Sequence, residues 1–75
     1  MRFPARVEAK SGLMMGKPCV KGTRIPVYLL LEKMAAGETF DRLLAAYPQL
    51  ALEDLRAGLE YAAALAAEEV VSAEA

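Results

Sequence analysis

GKPCVKGTRIPV, residues 16–27, divides the chain in two. Before it, apolar and charged residues alternate. After it, apolar residues recur at helical spacing. Gly16 and Gly22 allow backbone angles that side chains resist. Pro18 and Pro26 fix φ and remove a donor. Pro26 also suits the first turn of a helix, where its missing N–H would have no partner. Ile25, the residue before it, is biased toward extended geometry. The stretch Thr23-Arg24-Ile25 is therefore read as extended chain feeding straight into a helix.

Upstream, Phe3, Ala5, Val7 and Ala9 alternate with Arg2, Arg6, Glu8 and Lys10. That is the period of a half-buried strand. Pro4 makes it an edge strand or delays its start. A lone strand cannot satisfy its own backbone. Its partner is either Val20–Ile25 of the same chain or the matching strand of a second subunit, and a small sheet shared with a dimer mate is favoured. Leu13, Met14 and Met15 are apolar for a loop and are expected to pack onto the core or a partner.

Downstream, Val27, Leu30, Leu31, Met34 and Ala35 mark an amphipathic helix. Gly37 stands where a helix-ending residue with positive φ is wanted, and Thr39 is a natural cap for the next helix. Arg42 occupies the third position after it, so only half a capping box is present. Phe40, Leu43, Leu44 and Tyr47 carry that helix to Pro48. Leu52, Leu55, Leu59, Ala62, Ala63 and Ala66 mark a third helix, starting near Ala51 or Leu52 and fraying after Ala67. The fold class expected is mainly α: N-terminal strand followed by a three-helix bundle containing a helix-turn-helix at 39–59, homeodomain-like or winged-helix-like. The whole, 1–75, reads as one domain, with 1–26 as strand and hinge, 27–67 as helices and 68–75 as a mobile tail.

The run from Arg6 to Ala63 resembles the bacterial and archaeal family known as domain of unknown function 433. The resemblance is carried by Gly16, Pro18, Gly22-Thr23-Arg24-Ile25-Pro26-Val27, the later Ala36-Gly37-Glu38, Tyr47-Pro48 and Leu52-Glu53-Asp54-Leu55. It implies a small protein with a helix-turn-helix core, acting as an antitoxin beside a PIN-like ribonuclease toxin. Ala51 departs from the Thr or Ser typical of related sequences, a missing cap worth about 1 kcal/mol. Glu53 and Asp54 offset part of it at the positive end of the helix dipole.

One cysteine and no histidine among 75 residues leave no internal disulfide and no common metal cluster. This fits a reducing, cytoplasmic location. No signal peptide is visible, no apolar run approaches the roughly 20 residues of a membrane span, and no cofactor or small-molecule site is read. A core this small supplies only about 3–5 kcal/mol, so a homodimer is expected. Net charge is −1 but unevenly spread. Residues 1–33 hold seven cations against Glu8 and Glu32, a balance of +5; residues 34–75 hold Arg42 and Arg56 against eight acids, a balance of −6. The basic front faces either an anionic partner or the acidic back of another protomer.

Lys17, Lys21 and Arg24 cluster around glycines that let a phosphate backbone approach, with Gly-flanked N–H groups as further donors. Arg24 alternatively pairs with a carboxylate such as Glu60 or caps a helix end. Within the helix pair, Arg42 and Arg56 are the cations, and Arg56 is the one strong base-edge reader. Exposed Glu53 and Asp54 at the leading end of the third helix oppose phosphate, so that helix has a purely structural reading as well. The segment 12–17 is one residue short of a phosphate-binding loop and lacks its hydroxyl residue, and it is rejected as one. Cys19 reads as a small buried hydrophobe. Tyr28, Tyr47 and Tyr61 lie at core margins or interfaces. No nucleophile–base–orienter set is found, so no enzyme is expected. The function expected is a DNA-binding antitoxin that represses its own promoter and offers Glu60, Glu68 and Glu69 to a PIN-like toxin. The alternative is a protein-interaction module without DNA binding.

Overall fold

The computed structural model describes residues 3–10, 12 and 16–68. Five elements follow in order: β1 (Val7–Glu8), β2 (Cys19–Val20), α1 (Val27–Ala35), α2 (Phe40–Ala46) and α3 (Leu52–Glu68). The fold is small and mainly helical, with a two-stranded N-terminal sheet.

The first strand is much shorter than its alternating pattern suggested. Pro4 starts a turn, closed by Val7 N–H donating to the Pro4 carbonyl at 3.0 Å. Only then does the chain extend. β1 pairs antiparallel with β2 of the same chain, Val7 opposite Val20 and Glu8 opposite Cys19. So the partner is intramolecular, and of the expected segment Val20–Ile25 only Val20 lies in the paired strand.

The decisive stretch folds as a clasp. Val20 N–H donates to the Ile25 carbonyl at 3.0 Å and Val27 N–H to the Pro18 carbonyl at 2.9 Å, and Cys19 bridges Pro26. Residues 21–24 form the tip, where Gly22 takes φ +79°. Thr23 is thus turn rather than strand. Its hydroxyl donates to the Val20 carbonyl at 2.8 Å and accepts from Ile25 N–H at 3.0 Å. These bonds satisfy backbone groups that a bend this tight would otherwise strand. Pro26, at φ −71°, then launches α1.

The other local signals also operate as read. Gly37 ends α1 at φ +102°. The Thr39 side chain accepts from Arg42 N–H at 3.2 Å and caps α2. Pro48 lies in the turn joining α2 to α3.

Val20, Ile25, Leu30, Leu43, Leu50 and Leu55 make the main core. Val7, Val27 and Ala57 make a smaller one beneath β1. One expectation about α3 fails. Leu52 and Leu59 are exposed, and the buried face is Asp54, Leu55, Ala57 and Gly58. Leucine and alanine lie on several sides of this helix, so its pattern does not select a face. The choice falls to the elements packed on it, α1 foremost, with β1 and α2.

Leu13, Met14, Met15 and the segment 69–75 lie outside the described residues. Among the described residues no helix is long and apolar enough to cross a membrane.

Candidate nucleic-acid interface

Asp54 organises the leading end of α3. The sequence placed it on the solvated face, but it is only 8% exposed. Its Oδ2 accepts from Ala51 N–H at 2.8 Å, and its Oδ1 from Arg6 Nη1 at 2.9 Å. The first contact is the returning arm of a capping box, with the acid three residues after the cap position reaching back. It secures the Ala51 amide, a different donor from the inner amides that a Ser or Thr side chain at position 51 would have capped. The second ties the approach to β1 onto α3 across 48 residues of sequence.

The burial of Asp54 changes the local surface charge. Of the two acids expected to oppose phosphate here, only Glu53 remains exposed. Around it stand exposed cations. Arg6 holds Asp54 while keeping half its side chain accessible. Arg56 is exposed and lines a shallow depression with Arg6, Glu53 and Glu60. Lys21 and Arg24 project from the clasp tip. Their neighbours Val20 and Ile25 pack in one core with Leu50 and Leu55, which anchors the tip beside the α2–α3 turn. Lys21 N–H donates to the Arg6 carbonyl at 2.8 Å. Arg6 and Arg56 thus share the depression at the start of α3, the Lys21 backbone is bonded to Arg6, and Arg24 is exposed at the clasp tip.

The expected backbone donors are not free. Gly22 N–H donates to Glu8 Oε2 at 3.0 Å, so an internal carboxylate already fills the anion position. The amides of Lys21, Thr23 and Ile25 are also bonded within the chain. That leaves the side chains of the tip and the Arg24 amide to meet a phosphate. Arg24 joins none of the ion pairs formed among the described residues, so its expected pairing with Glu60 is absent.

Two cations stand apart from this group. Lys17 turns to the other side, its ammonium 5.6 Å from the centre of the Tyr28 ring. There it borders an open groove between α1 and α3. Arg42 lies in the first turn of α2, 3.7 Å from Glu38 and largely solvated. Glu60 and Glu68 are exposed on α3; Glu69 lies outside the described residues.

Cys19 is fully buried, and its thiol donates to the Lys17 carbonyl at 3.4 Å. Burial, and secondarily the Glu8 carboxylate, push it above its ordinary value. It is an inert core residue. No cluster of metal-ligating side chains occurs among the described residues.

Sequence reasoning missed Arg6, whose role depends on a contact 48 residues away. Asp54 was findable: an acid three residues after an uncapped helix start is the second half of the capping-box signature.

A two-stranded sheet leading into three helices defines a small, mainly helical domain. The chain belongs to the family described as Protein of unknown function (DUF433), which matches residues 7–62. It is similar to the crystal structure of a DUF433 member protein from Anabaena variabilis ATCC 29413, with TM-score 0.79 and 32% identity. That likeness covers 84% of this chain and 62% of the other. It is also 40% identical over 58 residues to the Uncharacterized protein y4eO of Sinorhizobium fredii (strain NBRC 101917 / NGR234). That match covers 77% of this chain but 26% of y4eO, so the chain spans about a quarter of that relative's length.

Proposed function

We propose that this protein binds duplex DNA with the clasp tip and the start of α3, as a non-enzymatic antitoxin-like regulator. The observation that carries the reading is the burial of Asp54. It withdraws one of the two carboxylates at the start of α3, where Arg6 and Arg56 line a depression with Glu53 and Glu60, while Lys21 and Arg24 are exposed at the clasp tip. In this reading α2 and α3 act as a helix-turn-helix, with α3 entering the major groove by its N-terminal turns. Arg56 reads a base edge, while Lys21 and Arg24 hold phosphates. Lys17 and Arg42 lie elsewhere and contribute long-range attraction only. The antitoxin role rests on the family resemblance. Glu60, exposed beside Arg56, is the acidic side chain offered to a basic ribonuclease cleft. A protein-interaction role without DNA is favoured by a separate observation, the exposed apolar groove beside Lys17.

Salt dependence separates the two. Fluorescence anisotropy with a duplex taken from upstream of the gene should show affinity falling steeply with salt. Replacing Lys21 and Arg24 by alanine should reduce the slope of log K against log salt by about 2. Absence of binding at low salt, or an unchanged slope, rejects the DNA reading.

A further inference from the structure

Tyr28 and Leu65 are 45% and 43% exposed, although large apolar side chains in so small a protein belong in its core. With Leu31 and Tyr61 they line an open groove between α1 and α3, of about 210 Å³. That is smaller than the roughly 300–1,000 Å³ of small-molecule pockets, and it has the scale of a socket for side chains. Phe3 extends the patch, its ring centre 5.6 Å from that of Tyr61. An aromatic-rich centre free of charge is the composition of a protein–protein contact.

Helix lengths add to this. α3 has 17 residues and α1 nine, about 25 Å against 14 Å at 1.5 Å per residue. The final turns of α3 are mostly exposed. They carry Ala62, Ala63, Ala66 and Ala67, small enough for another helix to approach closely.

We infer that this groove is the contact between two copies of the chain, related by a two-fold axis. The first argument is charge. Lys17 borders the groove on the clasp side, and Glu68 lies one turn beyond Leu65 on α3. A two-fold contact is self-complementary, so Lys17 of each copy meets Glu68 of the other while Leu65 enters the facing groove. The second argument is the size of the core. The single cysteine is buried and unpaired, so no disulfide supports a core of this size, and association is the remaining reinforcement. This assignment draws Glu68 away from any toxin-facing role. It is independent of DNA binding, because the groove lining includes none of Arg6, Lys21, Arg24 and Arg56.

Sedimentation velocity on the full chain, without DNA, tests it. The wild type should run at twice the 8.1 kDa of one chain. Leu65→Lys, an exposed change that leaves the circular dichroism spectrum intact, should weaken the dimer about tenfold or more. Lys17→Glu and Glu68→Lys should each weaken it several-fold, and the double variant should restore it. A monomeric wild type, a dimer indifferent to Leu65→Lys, or a double variant no better than the single ones overturns the proposal. So does a chain that is monomeric alone and uses this groove only for a different protein.

Discussion

Replacing Asp54 by alanine removes two contacts at once. The Ala51 amide loses its acceptor, and a lost helix cap costs about 1 kcal/mol. Arg6 loses its ion pair; because half of the arginine side chain is in water, that adds only about 0.5 kcal/mol. The expected total is about 1.5 kcal/mol against the roughly 3–5 kcal/mol such a core supplies. For a domain of this size it corresponds to a fall in Tm of about 6–12 °C. Thermal melts and urea titrations followed by circular dichroism would measure it. Arg6→Ala should cost no more than the pair itself, about 0.5 kcal/mol. A double-mutant cycle with Asp54→Ala isolates that coupling. Asp54→Asn keeps one acceptor oxygen and should fall between the wild type and the alanine variant. Because Asp54→Ala also removes a negative charge beside Arg6, the variant that remains folded should bind DNA no more weakly than the wild type. The reasoning is refuted if Asp54→Ala matches the wild type within the error of the titration. It is equally refuted if Arg6→Ala alone proves the costlier change, since the cap is assigned the larger share.

Gly58→Ala should stabilise the protein. Gly58 lies inside α3, its added Cβ would meet Val27 Cγ1 at an ordinary 3.5 Å, and alanine is about 1 kcal/mol better there; a melt should rise by about 4–8 °C, and a fall would show that the Val27 contact has no room. Cys19 should react slowly with thiol reagents in native buffer and quickly in urea, as its burial requires. Burial pushes its thiol above the ordinary value of 9.0 in the folded state, so above that pH the unfolded chain releases the proton first. Stability should therefore be full below about pH 9 and decline as pH rises toward the folded value. Cys19→Ala should flatten that decline, and an alkaline profile unchanged by it would contradict the assignment.

Short-range chemistry sets where each kind of backbone begins and ends. Pro26 starting α1, Gly37 ending it, Thr39 capping α2 and Pro48 closing it act through neighbours a few residues away, so their chemistry can be read from spacing alone. The resemblance carried by residues 16–27 and the segments after them likewise belongs to the sequence, and the family match bears it out. Which sides of these elements matter depends on contacts between residues far apart in the chain. Asp54 turns inward because Arg6, 48 residues distant, stands over it. The amide of Gly22 is lost to a phosphate because Glu8, from the opposite strand, reaches it first. Lys17 separates from Lys21 and Arg24 because β2 runs between them and Tyr28 holds its ammonium. The face of α3 was hidden for a related reason: its leucines and alanines leave the helix without a clear apolar side. Contact with α1, β1 and α2 then selects the side that packs.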